Sequence, residues 1–145
     1  MQLTTVTAAI AALDAYAGRV CVASNLAAAV EAIKPFKVTP VCVVFGVEER
    51  ASPNQLATGG PRHKVSVTLK LLTAARDVAD PHGHAAYALA ETARAALLPG
   101  LLGLIPDTAY HPLEYQSGRI AYAEAGTLLW LDEFVTHYYL SPDRG

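Results

Sequence analysis

Four side chains that could bind a metal ion lie within eight residues near the middle of the sequence: Asp77, Asp80, His82 and His84. Carboxylates and imidazoles are ligands for zinc or manganese, so one hypothesis is a small metal-dependent enzyme. The spacing argues against it, because helical metal sites place two histidines four residues apart, whereas one residue separates these two. Asp80 instead precedes Pro81 and a helical segment, which predicts a carboxylate that accepts hydrogen bonds from the first amides of the helix.

No other pattern of residues predicts catalysis. The adjacent Gly59 and Gly60 lie between two predicted strands, and no Walker or dinucleotide-binding pattern occurs. Cys21 and Cys42 each lie in an apolar run, which favours buried thiols, although a bridge between them stays open as an alternative. The sequence therefore predicts no catalytic residue, no cofactor and no metal.

Composition narrows the class of partner. The 145 residues fit one domain over 1–145, and the charged fraction of 17% lies below the value of about 25% that is usual for soluble domains, which favours protein partner surfaces. The net charge of −2 comes without a basic stripe, so direct nucleic-acid recognition is not expected. No apolar run reaches the roughly 20 residues that cross a bilayer, so no membrane partner is expected. The N-terminus lacks a secretory pattern, which predicts synthesis in the cytoplasm.

Hydrophobic periodicity divides the chain into three helices and five strands. The helices are predicted at residues 4–17, 24–34 and 84–98. The strands are predicted at residues 19–23, 40–47, 63–75, 113–123 and 127–140. We therefore predict an α/β (α+β) fold, in which a mixed, largely antiparallel sheet of four to five strands carries helices packed on one side.

Several local features carry their own expectations. Pro99 and Gly100 are predicted to end the third helix, and Glu91 and Arg94 on that helix are expected to face water. Gly118 predicts a bulge in its strand. The alternation of the last strand breaks at 132–133, which predicts that its middle bulges or faces a partner.

The segment Glu48–Arg62 predicts a long connecting loop, because it has two prolines, two adjacent glycines and no periodicity. Loops of this length inside compact domains usually bind something or become ordered on assembly. The last two strands are rich in aromatic residues, which favours cross-strand packing or, alternatively, an oligomer interface. The residues predicted to contact another subunit or a partner protein are Glu49, Arg50, Asn54, Gln55, Arg62, Tyr115 and Tyr122.

The arrangement from Pro40 to Leu140 resembles the phage tail terminator family of the Mu-like tail-protein group. The resemblance rests on the run PVCVVFGVEE, the strand VSVTLKLLTAAR, the turn at Gly83 before AAYALAETARAALL, and the hairpin IAYAEAGTLLWLDEFVTHYYL. It implies a structural virion protein without catalysis or a cofactor. Six such subunits close into a ring on the head-proximal end of the tail tube, stop its elongation and join the tail to the neck.

The resemblance also implies the partners and the place of assembly. The partners are other copies of the chain in a homohexamer, the tail-tube protein, a neck or connector protein and, as a further candidate, a sheath. Assembly takes place in the host cytoplasm. A ring requires a heterologous interface, in which one patch meets a different patch. The alternative within the same class is another ring-forming neck or head-completion connector.

Overall fold

A computed structural model describes residues 1–142 of the chain. The helices are α1 (Thr4–Ala11), α2 (Leu26–Ile33) and α3 (His84–Leu101). The strands are β1 (Val20–Val22), β2 (Val41–Ala51), β3 (His63–Arg76), β4 (Glu114–Glu124) and β5 (Thr127–Leu140). They form one sheet in the order β1-β2-β3-β5-β4, in which only the β1–β2 pair is parallel. The predicted class and the mixed, largely antiparallel sheet are confirmed.

Three predicted boundaries are wrong. The first helix ends at Ala11, and turns continue the chain to Gly18. Strand β2 runs to Ala51, because it resumes pairing with β3 after an irregularity between Phe45 and Glu48, where Gly46 adopts a φ of +63°. The connecting loop therefore covers only 52–62.

The third wrong boundary is the end of α3, which continues past Pro99 and Gly100 to Leu101. Proline lacks one amide donor, but the next turn still closes, since the Leu102 amide donates to the Leu98 carbonyl at 3.0 Å. Leu101 is fully buried, so the extra turn adds apolar contact to the core. None of the helices in residues 1–142 is long and apolar enough to span a membrane.

One face of the sheet, here called the inner face, carries α1 and α3. Alternate residues of β3 and β5 point toward these helices, as the period of two in a strand requires. The main cluster of the inner-face core consists of Val6, Ile10, Tyr16, Cys42, Val44, Leu69, Leu71, Ala93, Leu97, Leu101, Leu113 and Phe134.

Helix α2 packs on the opposite face, here called the outer face, so the prediction of helices on one side only is wrong. Ala29 and Ile33 of α2 lie in a second core cluster with Val41, Val43 and Leu72. Parallel neighbours need a crossover connection, and α2 is the connection between β1 and β2.

A polar contact ties the turn after α1 to the centre of the sheet. Tyr16 and Thr73 are both fully buried, and the Tyr16 hydroxyl lies 2.8 Å from Thr73 Oγ1. Burial raises the pKa of Tyr16, so the phenol stays protonated and can serve as donor or acceptor.

We predict that Tyr16→Phe lowers the free energy of unfolding by about 1–2 kcal/mol, because it leaves the Thr73 hydroxyl buried without a partner. Urea denaturation measures the change. The double variant Tyr16→Phe/Thr73→Val should recover part of the loss, since it removes both polar partners. Additive losses in the double variant would contradict the role of the hydrogen bond.

Candidate assembly surfaces

The predicted metal-binding residues form the turn before α3. Asp80 Oδ2 accepts a hydrogen bond from the Ala85 amide in the first turn of the helix at 3.0 Å, and Oδ1 accepts one from the His82 amide at 3.2 Å. These bonds, chiefly that from Ala85, lower the pKa of Asp80. Asp77 likewise accepts from the Ala79 amide at 3.1 Å. The predicted capping role of Asp80 is therefore confirmed.

The same residues do not assemble into a metal site. Across residues 1–142, no group of three or more His, Cys, Asp or Glu side chains is placed to hold a metal ion. The carboxylates of Asp77 and Asp80 are directed to backbone amides, whereas His82 and His84 line a neighbouring cleft. The arrangement gives no support to the metal-dependent enzyme.

That cleft, here called the hairpin cleft, lies between the start of α3 and the β4–β5 hairpin. Its volume is about 460 Å³. The Asp77 amide donates to the Gly126 carbonyl at 2.8 Å, which holds the turn against the hairpin. The apolar part of the lining includes Tyr87 and Ile120, whose side chains are 41% and 42% exposed. His82, His84, Ala123 and Glu124 also line the cleft.

A second concavity, here called the outer groove, lies between α2 and the β4–β5 hairpin on the outer face. It has a volume of about 480 Å³. Leu26 and Val30 of α2 are 46% and 36% exposed and line it. The predicted interface residue Tyr122 also lines this groove, is 45% exposed, and donates to Glu124 Oε2 at 2.9 Å. That carboxylate raises the pKa of Tyr122.

At the opposite end of the sheet, residues 52–62 form a hairpin connection, here called the arm. The amide of Ser52 donates to the Lys64 carbonyl and the amide of Gln55 to the Arg62 carbonyl, both at 2.8 Å. Asn54 Oδ1 accepts from the amides of Arg62 at 2.8 Å and Leu56 at 3.1 Å. These bonds extend the β2–β3 ladder into the arm. The Leu56 side chain beyond them is 42% exposed.

The base of the arm is braced by aromatic rings of β5. The Arg62 guanidinium lies 4.2 Å from the centroid of the Tyr139 ring, a cation–π contact. On the other face, Tyr138 donates to Glu49 Oε1 at 3.3 Å. Glu49 and Arg50 belong to β2 and not to the loop in which they are predicted.

The structure brings together only some of the predicted interface residues. Five of them lie at the arm end of the sheet: Glu49, Arg50, Asn54, Gln55 and Arg62. Tyr122 lies in the outer groove. Tyr115 lies on the inner face, where it takes part in a polar cluster with α3.

That polar cluster is an ion pair that the sequence interpretation missed. Arg94 of α3 donates from Nε to Asp132 Oδ2 at 2.8 Å and from Nη2 to Asp132 Oδ1 at 2.7 Å. Asp132 is fully buried and the Arg94 side chain is 14% exposed, so the expectation that Arg94 faces water is wrong. Tyr115 donates to Asp132 Oδ1 at 2.9 Å. The hydrogen bonds to Asp132 raise the pKa of Arg94, and burial together with Asp132 raises the pKa of Tyr115.

The break in alternation at 132–133 is explained by this pair. Strand β5 keeps an unbroken register with β3, so its middle does not bulge there, and Asp132 faces α3. A buried acid in an apolar strand, together with an arginine on the covering helix, was the sequence signal for this contact.

Gly118 makes room for the ion pair. It lies opposite Asp132, and a Cβ atom at this position would lie 2.6 Å from Asp132 Oδ1 and 2.8 Å from Arg94 Nη2. Strand β4 is irregular, as Gly118 predicts, but its register shifts lie on either side of that residue, at 115–117 and 120–122.

The two cysteines remain free thiols. Cys42 is buried in the inner-face core, whereas Cys21 packs against the outer-face core, so they point to opposite faces of the sheet. Burial raises the pKa of both thiols. The alternative of a bridge between them is therefore wrong.

Comparison with known proteins supports a tail protein. A family model described as "Phage tail terminator protein" matches residues 2–144. No curated protein matches the sequence. A chain of a solved structure described as the virion of a native gene transfer agent particle is similar in fold, with a TM-score of 0.52 and 12% identity, over 93% of this chain and 85% of that chain.

We predict that Arg94→Ala lowers the free energy of unfolding by about 3 kcal/mol, because it leaves the buried carboxylate of Asp132 without its cation. Urea denaturation measures the loss. The matched control is Arg119→Ala, which removes an exposed arginine from β4 and should change stability by less than about 0.5 kcal/mol. Equal effects of the two substitutions would show that the ion pair does not hold α3 on the sheet.

Proposed function

We propose that this chain, which belongs to the phage tail terminator protein family, forms a ring that caps the end of a tail tube. The family is one of structural virion proteins, and the chain is a virion tail component. In the proposed role, six copies close on the head-proximal end of the tube, stop its elongation and join the tail to the neck. The partners are the tail-tube protein, a neck or connector protein and, in sheathed tails, the sheath.

The proposal rests on the observation that the two ends of the sheet present different surfaces. One end bears a projecting arm, and the other bears the hairpin cleft. Unlike surfaces at opposite ends suit a heterologous interface, and repeated heterologous contacts close into a ring when their rotation adds up to a full turn. The low charge fraction of 17% agrees with a subunit that covers much of its surface on assembly.

The edges of the sheet offer a further contact. Strand β4 is an edge strand with ten of its eleven residues exposed, and β1 at the other edge has only three residues. Exposed edges carry unpaired backbone groups that can pair with another chain, and the two bulges of β4 limit such pairing to short stretches. Edge contacts therefore add to the contact between the sheet ends.

We predict that the purified protein forms a ring of six copies, either alone or on addition of tail-tube protein, and that it halts tube growth. Mass photometry and negative-stain electron microscopy of tubes grown with and without the chain measure both effects. Rings that bind a neck protein but leave tube length unchanged would favour the alternative connector role. Monomers only, with tube protein present, would overturn the ring.

We also predict that the arm is needed for capping but not for folding. Every side chain of residues 52–62 is exposed or half-exposed, so replacing 55–61 by Asn-Gly removes no core contact and leaves a two-residue hairpin turn. The free energy of unfolding should change by less than about 0.5 kcal/mol, while capping is lost.

The matched control keeps the length of the arm and Leu56 but replaces 57–60 by Ser-Gly-Ser-Gly. This variant should cap tubes like the original chain, since it retains Leu56 and the cations at the base of the arm. Loss of cooperative unfolding in the shortened variant, or normal capping by it, would contradict the prediction.

A further inference from the structure

We propose that the arm of one subunit docks into the hairpin cleft of the next subunit, with Leu56 at the tip as its apolar anchor. This inference rests on the proposed ring and names the two surfaces that join its subunits. The occupant of the cleft is thus a second copy of this chain.

The cleft has the properties of a receiving site. Its volume of about 460 Å³ falls in the range of protein binding pockets. Tyr87 and Ile120 expose about two-fifths of their surface in it, and burying such side chains is favourable when an apolar partner covers them. Leu56 is the large apolar side chain of the arm and is itself 42% exposed.

The charges of the two surfaces favour the arm as the occupant of the hairpin cleft. The stretch 50–64, which holds the arm and its base, contains the three cations Arg50, Arg62 and Lys64 and no acidic residue. Three carboxylates lie around the cleft or in the turn beside it, those of Asp77, Asp80 and Glu124. Opposite potentials speed the encounter of two surfaces and disfavour other pairings.

The geometry makes the contact intermolecular. Strand β3 begins at His63 beside the arm and ends at Arg76 beside the cleft, and 14 residues of strand span roughly 45 Å. An arm of 11 residues folded back as a hairpin covers less than half of that distance, so it cannot reach the cleft of its own subunit. Docking therefore joins different ends of two copies, as a closed ring requires.

The outer groove is a poorer site for the same arm. Lys34 and Arg76 line it; Lys34 pairs with Glu31 at 2.7 Å, whereas the positive charge of Arg76 would oppose the cations of the arm. Its apolar lining is at least as exposed as that of the hairpin cleft, so apolar burial alone would not distinguish the two sites. The outer groove is thus a matched control for the role of charge.

Cysteine cross-linking tests the contact directly. In a background with Cys21→Ser, one protein carries Leu56→Cys and a second carries Ala123→Cys, an exposed residue of the cleft lining. The two are mixed under conditions in which mass photometry shows rings, oxidised with diamide and separated without reductant. The control mixture pairs Leu56→Cys with Leu26→Cys in the outer groove. A disulfide requires close Cβ atoms, so its yield reports which groove holds the arm.

We expect at least roughly tenfold more covalent dimer from the 56/123 mixture than from the 56/26 mixture, because docking raises the effective concentration of the paired thiols. A single protein with both Leu56→Cys and Ala123→Cys should give a covalent ladder that stops at the size of the ring.

The outcomes separate this contact from the ring itself. Rings that give no 56/123 dimer, or that favour 56/26, would overturn the docking proposal and leave the proposed function standing. A 56/123 dimer without closed rings would support the contact and contradict the ring. If neither rings nor dimers form, both proposals are overturned.

A charge exchange gives an independent readout. Glu124→Lys should weaken ring formation by adding repulsion to the arm, and Arg62→Glu in the same chain should restore it in part. Raising the salt concentration from 0.1 to 1 M should weaken the original ring, since screening shortens the range of the attraction. Rings that are indifferent to both changes would overturn the charge complementarity on which the proposal depends.

Discussion

The bidentate ion pair between Arg94 and Asp132 is the contact on which the inner face depends. The Asp132 carboxylate, on the strand between β3 and β4, is fully buried beneath α3, which is costly unless a cation and further donors satisfy it. The guanidinium supplies two donors and the Tyr115 hydroxyl a third. Since Arg94 lies in the middle of α3, this requirement fixes both the position of the helix and its rotation about its own axis. Gly118 is part of the same requirement, because any side chain there would occupy the space of the pair.

Fixing α3 at its middle also fixes what its first turn can do. The start of the helix, with Tyr87, is held over the β4–β5 hairpin, and the gap between them is the hairpin cleft. The Asp80 carboxylate caps the same turn, so a residue of the predicted metal site stabilises the start of the helix instead. The cleft is therefore a by-product of how the helix is anchored, and its open apolar rim is available to a partner.

Features that depend on near neighbours in the sequence were predictable, and those that depend on distant partners were not. The β-prone, aromatic-rich composition of the last strand predicted its observed limits, Thr127–Leu140, and Asn25 caps α2 as expected for its residue type. The partner of Arg94 lies 38 residues away, so no local pattern on the helix distinguishes it from a solvated arginine. The position of α2 likewise depends on topology, since it is the crossover between the parallel strands β1 and β2. Composition identified the arm as a candidate interface. The cleft could not be identified in this way, because it is formed by the turn before α3 and the β4–β5 hairpin, which are distant in the sequence.

The separation of the arm from the cleft follows from the length of β3. A strand of 14 residues carries one connection at each end, with Arg62 and Lys64 at the arm end and Asp77 and Asp80 just beyond its C-terminal end. The two connections therefore differ in the sign of their charges, although the net charge of the chain is only −2. Two copies that met through the same end would place like charges together, whereas copies that meet arm to cleft place unlike charges together. The charge pattern therefore disfavours a self-complementary dimer and favours the directional contact from which a ring is built.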